Sequence, residues 1–182
     1  MRPTIYLAGL QARRHHGPGR KLCAMALPRW FEHGDGRVSL CAPPEAALRK
    51  VQADHDLVDY RRTLERWWGG MESEFRALNQ PCDIDRGKVV LRDGDTLFCS
   101  CAAPDSPRRK HPCHLETLAP YLMRAGCDAV LWGRRLTLRI ERITTTRDGA
   151  VVRPERRTVV WAGTPELYNP AAYGWPNTET SQ

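Results

Sequence analysis

The chain has 182 residues, of which 41% are apolar and 27% charged. This is the make-up of one globular domain with enough core to fold without disulfide or metal staples. Its formal charge of +7 rests on 24 arginines against 4 lysines. GC-rich coding alone can produce that skew, yet the net field draws phosphate-bearing partners, whether small molecules or nucleic acid. No window approaches the roughly 20 apolar residues of a membrane span. The opening residues Met1 to Leu7 read as a first strand and not as a signal peptide, since no apolar core follows the charge. The expectation is a cytoplasmic protein without membrane association. Seven cysteines, an odd number in a chain of this kind, argue against a disulfide framework.

Thr4 to Ala8 is an apolar strand ending at Gly9, followed by the basic loop Gln11–Arg20 with Arg13, Arg14, His15, His16, Gly17 and Gly19. A glycine-containing basic loop after a first strand can cradle an anion, or it can be a solvated loop. Lys21 to Ala26 predicts a second strand and Arg37 to Cys41 a third. Cys23 and Cys41 fall in apolar runs as core thiols. Pro43-Pro44 opens a helix over Glu45–Gln52. The strongest helix is Asp56–Met71, capped by Asp56, with Leu57, Tyr60, Leu64, Trp67 or Trp68 and Met71 on one stripe. A short helix over Glu72–Leu78 follows, then Asn79-Gln80-Pro81. Lys88–Leu91 and Thr96–Cys99 flank the turn Arg92-Asp93-Gly94-Asp95. They form either a hairpin or a loop leading into a single sheet strand at Thr96–Cys99.

The most informative stretch is Thr96 to Gly126. The strand Thr96–Cys99 breaks at Cys101 into a Pro-rich loop, and a helix begins at Cys113 and runs to Ala125. Asp128–Trp132 then gives another buried strand, so strand, crossover helix and strand form the βαβ unit of a parallel sheet. Beyond it, Thr137–Thr145 and Val151–Trp161 predict a long, Arg-rich β-hairpin turning at Arg147-Asp148-Gly149. The segment from Thr164 reads as an extended tail, with Tyr168, Tyr173 and Trp175 able to pin it to the body. We divide the chain into an α/β body over residues 1–135 and an appended hairpin and tail over 136–182, within one globule.

Cys99, Cys101, Cys113 and His114 sit at the two ends of one loop, where a strand end faces a helix start. Three chemistries fit. Free N–H groups at the helix start, with Arg108, Arg109 and Lys110 upstream and Gly9, Arg13 and Arg14 alongside, would take an anion or nucleotide. A thiol in a first helical turn has its pKa lowered, which makes Cys113 a nucleophile with His114 or His111 handling the proton and Cys99 nearby. Cys99, Cys101, Cys113 and His114 also form a zinc-type donor set, although C-x-C and adjacent Cys-His are unusual spacings. A purely structural role, with buried thiols and a surface histidine, is the fourth reading.

A strand ending Leu97-Phe98-Cys99, a loop, and Cys113-His114 opening a helix resemble the "domain of unknown function 488" family. The order of Ile5–Gly9, the strand running into Pro28, Leu40, Pro43-Pro44 and Asp59-Tyr60-Arg61 is similar too, over about Ile5–Trp132. Leu115 stands where that family follows Cys-His with Arg or Lys, and the loop before Cys113 is longer. The resemblance implies a small Rossmann-like α/β fold and names no activity. Ile5-Tyr6-Leu7-Ala8-Gly9 also looks like the opening strand of nucleoside deoxyribosyltransferases. We therefore expect a small enzyme or ligand-binding protein acting on a nucleotide, nucleoside or nucleic-acid base, with no bound cofactor. The alternative is a non-catalytic nucleic-acid-binding or interaction module, with or without zinc.

Overall fold

The computed structural model describes residues 1–11, 14–25, 35–71, 74, 90–137, 139–143, 146–147, 150–151, 156–160 and 170–176, with the backbone alone over 139–160. Six strands build the main sheet: β1 (Thr4–Gly9), β2 (Lys21–Cys23), β3 (Gly36–Arg37), β4 (Thr96–Cys99), β5 (Asp128–Leu131) and β6 (Arg134–Arg135). Their order is β3-β2-β4-β1-β5-β6, parallel except at β6. The fold is α/β.

β1 lies at the centre because its Ile5, Leu7, Ala8 and Gly9 can all be buried. It pairs Tyr6 with Thr96 of β4 on one side and with Val130 of β5 on the other. After β1 the chain travels past β4 to β2; after β4 it travels past β1 to β5. The two connections leave in opposite directions, so the carboxyl ends of β1 and β4 flank a crevice of the kind that holds ligands in open α/β sheets.

Three helices follow: α1 (Glu45–Asp54), α2 (Leu57–Gly70) and α3 (His114–Arg124). α3 packs on β1 and β5, α2 on α3, and α1 on α2. α3 is buried on nearly every face, which marks it as the core helix of the body. In α2 the Asp56 carboxylate accepts from the Asp59 N–H at 2.9 Å, the expected N-cap. Tyr60, Leu64 and Trp68 form its buried stripe, and Trp67 faces outward. Trp68 donates to the Leu40 carbonyl at 3.1 Å.

The opposite sheet face is crossed by the first loop. His16 lies over Phe98, with ring centroids 6.3 Å apart. The Gly17 N–H donates to Thr96 Oγ1 at 2.8 Å, and the Gly19 N–H to the Gly94 carbonyl at 2.9 Å. Side chains at Gly17 or Gly19 would collide with Gly94, so glycine here serves close packing. Where the loop meets β4, Asp95 is buried and receives Arg20 through Nε at 3.1 Å and Nη2 at 2.6 Å.

Four expected elements change. The Arg37–Cys41 strand stops at Arg37, and Ser39–Cys41 is a 3-10 turn closed by the Cys41 N–H on the Val38 carbonyl. α1 continues to Asp54 and ends at His55 in the left-handed region, φ 58°. The hairpin over 88–99 does not form at Val90 and Leu91, because β1 and β2 occupy both edges of β4 and leave no place for an antiparallel partner. The last strand of the βαβ unit ends at Leu131. Trp132 (φ 52°) and Gly133 (φ 78°) form a two-residue hairpin turn into β6.

β7 (Arg139–Ile143) pairs antiparallel with β10 (Arg156–Val160), and β8 (Thr146–Arg147) with β9 (Ala150–Val151), in the expected hairpin region. Tyr173 and Trp175 are buried, the latter stacked on Tyr60 at 6.0 Å, so both pin the last described segment to the body. Arg13, Cys82, Tyr168, the expected Glu72–Leu78 helix apart from helical Glu74, and the end of the second expected strand at Ala26 fall outside the described residues.

Candidate functional site

The C-x-C spacing has a simple consequence at the end of a strand. Positions two apart share a face, and Cys99 and Cys101 bring their sulfurs to one spot beyond β4. The chain reaches that spot by passing over Gly9. The Leu10 N–H donates to the Cys99 carbonyl at 2.8 Å, and any Cβ on Gly9 would penetrate the Cys101 carbonyl oxygen. Cys113 arrives from the opposite side as the N-cap residue of α3. Its Sγ lies 2.9 Å from that of Cys99, and the Cys101 N–H points at the Cys99 sulfur at 3.3 Å. The three sulfurs lie within 4.8 Å of one another, close enough to share one metal ion.

The three thiols are not equivalent. Cys99 and Cys113 are fully buried, while Cys101 is partly exposed. Burial pushes the Cys99 and Cys113 thiols well up, and for Cys113 the neighbouring sulfurs of Cys101 and Cys99 add to it. Hydrogen bonds from Cys113 and Cys99, then the neighbouring His114, pull the Cys101 thiol down. The Cys113 thiol is thus shifted in the direction opposite to that expected at a helix start. The first turn of α3 lies inside the protein, where desolvation outweighs the helix dipole, and of the three thiols Cys101 is the one its neighbours draw down.

His114 is buried, not a surface residue, and its Nε2 lies 2.7 Å from the Ala24 carbonyl. A carbonyl only accepts, so Nε2 carries the proton and Nδ1 is turned away from that bond. His114 stands beside Cys101 but does not complete the set of donors that lie mutually close.

Two N–H groups at the start of α3, those of Cys113 and Glu116, have partners within the chain. Glu116, fully buried, reaches back to the Cys113 N–H at 3.3 Å as the acidic half of a capping box. The same carboxylate accepts from Arg109 at 2.7 and 2.9 Å, from Trp132 Nε1 at 3.0 Å and from Trp175 Nε1 at 2.9 Å. Arg109 also donates to the Tyr173 carbonyl. Desolvation raises the Glu116 carboxyl against the pull of Arg109. Arg109 is thus engaged by a carboxylate of its own chain, and the Cys113 N–H at the helix start is taken by the same carboxylate. Sequence reasoning missed Glu116, although Cys113-x-x-Glu116 at a helix start carries the capping-box spacing.

The other expected anion contacts are scattered. Arg108 is exposed and donates to Gln11 Oε1 at 3.3 Å; Arg14 is exposed; Gly9 serves packing. Gly17 and Gly19 lie at the amino end of β4, away from the thiols. Among the described members of the basic set, Lys110 borders the site. It borders a cavity of about 640 Å³ together with Arg49, His55, Cys101, His111 and His114. The cavity lies between α1 and the loop leading to α3, at the carboxyl ends of β2 and β4. A second hollow of about 810 Å³, between α1 and α2 near Trp67, holds none of the thiols.

Among the described residues, no helix is long and apolar enough to cross a membrane. Compared with known family models, curated proteins and solved structures, the chain matches none.

Proposed function

We propose that the chain is a small enzyme or ligand-binding protein whose substrate is a phosphate-bearing molecule of nucleotide or nucleoside size. The observation that carries the reading is Cys101 at the wall of the 640 Å³ cavity, with Lys110, His111 and His114 around it. The volume falls in the range of small-molecule sites. Lys110 and His111 supply positive or hydrogen-bonding contacts to an anionic group, with Arg49 across the cavity alongside its ion-pair partner Glu45. Of the three thiols Cys101 reaches the ligand, so the role first given to Cys113 passes to it, with His114 fixing its position. The resemblance to the "domain of unknown function 488" family is compatible with this site and adds no reaction. The arginines of the β7–β10 hairpin, on which a nucleic-acid-binding reading rests, have no described side chains.

The test is a thermal-shift screen of the full chain against nucleoside mono-, di- and triphosphates, nucleosides, free bases and inorganic phosphate. A ligand at a hundred times its Kd stabilises by about 2.7 kcal/mol, several degrees in Tm for a domain of this size. Lys110→Ala and Cys101→Ser should each reduce that shift. If no compound raises Tm, or if the shift is unchanged in both variants, the reading is wrong.

A further inference from the structure

We propose that Cys99, Cys101 and Cys113 bind one thiophilic metal ion, zinc by preference, with its fourth coordination position open toward the cavity. Three sulfurs converging on one point call for a partner that two-by-two pairing cannot supply. A disulfide would join Cys99 and Cys113 and leave Cys101 beside it as a bystander. Neighbouring sulfurs of a tetrahedral zinc stand roughly 3.8 Å apart, from a Zn–S distance of about 2.3 Å. The spacings here enclose that value, 2.9 Å between Cys99 and Cys113 and no more than 4.8 Å between any two. A divalent ion reaches tetrahedral geometry by a shift of under about 1 Å in the sulfurs.

The surroundings also suit a thiolate-bound ion. The Cys101 N–H directed at the Cys99 sulfur is the kind of outer contact that stabilises a coordinated thiolate. Three thiolates on a divalent cation leave one negative charge, and Arg109 lies within electrostatic reach of Cys101 and Cys113. Two ligands are fully buried and the third faces the cavity, so three protein ligands leave one site for water or a ligand atom, the pattern of a catalytic and not a closed structural zinc. A thiolate set selects zinc over magnesium or calcium, which prefer oxygen. His114 is a positioning residue, standing beside Cys101 while anchored on the Ala24 carbonyl. Only the identity of the fourth ligand rests on the function proposed above; the three-sulfur site stands without it.

The full chain, stripped with chelator under reducing conditions, is titrated with Zn²⁺ and separately with Co²⁺. The expected result is one ion per chain, a sulfur-to-cobalt charge-transfer band with the visible spectrum of tetrahedral cobalt, and protection of Cys101, the one of the three that is not fully buried, from alkylation by zinc. Cys101→Ser, at the least buried of the three positions, should weaken zinc binding more than about a hundredfold, beyond the loss of any outer contact. His114→Gln should weaken it by about 10-fold to 100-fold and keep the cobalt spectrum. Absence of the charge-transfer band, alkylation unaffected by zinc, or a Cys99–Cys113 disulfide in freshly purified protein overturns the proposal. These readouts need no organic ligand. A nucleotide that shifts the Tm of the stripped protein would uphold the cavity reading even if no metal bound. Metal binding without any nucleotide response would do the reverse.

Discussion

Glu116 and Arg109 form a two-pronged ion pair, N–O 2.7 and 2.9 Å, in which the carboxylate has no solvent contact and the guanidinium side chain is about one-tenth exposed. Two indole N–H groups and a backbone N–H also donate to the carboxylate. Removing one partner of such a pair leaves an uncompensated charge inside the protein. Arg109→Ala is therefore expected to cost about 3–5 kcal/mol in urea unfolding. Trp175→Phe keeps the stacking on Tyr60 and removes one donor to a charged acceptor, for about 1.5–3 kcal/mol. Equal losses for the two variants would show that Glu116 does not depend on its arginine.

Gly9 is expected to tolerate no side chain. A Cβ there overlaps the Cys101 carbonyl and presses on the Trp132 ring, so Gly9→Ala must push the Cys99–Cys101 turn away from Cys113. The expected cost is about 1–3 kcal/mol, together with slower zinc protection of Cys101. Stability and zinc protection both at wild-type level would refute this account of Gly9.

Alkylation of the zinc-free protein should begin at Cys101. Hydrogen bonds from its neighbours draw its thiol down, so its rate should rise less between about pH 6 and pH 8 than that of an ordinary thiol, which speeds up about tenfold per unit. Cys99 and Cys113, held as thiols by burial, should react only after unfolding. Peptide mapping after a short iodoacetamide pulse reads all three. Modification of Cys113 ahead of Cys101 would reverse the assignment.

Alkaline pH should destabilise the fold through its buried thiols. Burial pushes Cys41 well above its ordinary value of 9.0. Above that pH the unfolded chain releases a proton that the folded chain keeps, so the stabilisation is complete below the unfolded pKa and drains away as pH rises. Each such group contributes a slope of about 1.4 kcal/mol per pH unit. Unfolding free energy followed from about pH 8 to pH 10.5 should fall less steeply in Cys41→Ala by one group's share. Parallel profiles would count against it.

Strands and helices were legible wherever one residue pattern had one physical reading. The apolar run Thr4–Gly9, the Asp56 cap and stripe of α2, and the strand-helix-strand unit around Cys113 are of this kind. The pinning role of Tyr173 and Trp175 was also readable, since aromatic residues in a polar tail have little else to bury against. What escaped depended on neighbours distant in sequence. Leu91 resembles a hairpin strand until β1 and β2 are seen to fill both edges of β4. Arg109 reads as a free cation until Glu116 is found facing it. Cys113 has the local signature of an activated thiol, but burial of α3 pushes it up, and the neighbouring thiols draw Cys101 down instead. The convergence of three sulfurs was half visible, because C-x-C places two on one face, but the approach of Cys113 to within 2.9 Å is a tertiary fact.

The polar centre at Glu116 draws on the chain at residues 109, 113, 132 and 175. During synthesis α3 leaves the ribosome well before Trp175 does. Until then its carboxylate lacks a donor and the Tyr60 face lacks its cover. The body then has every strand of its main sheet but not its final interior. Arrival of the last aromatic residues is thus a completion step, and a nascent chain halted before Trp175 should remain open to proteases around Tyr60 and the start of α3.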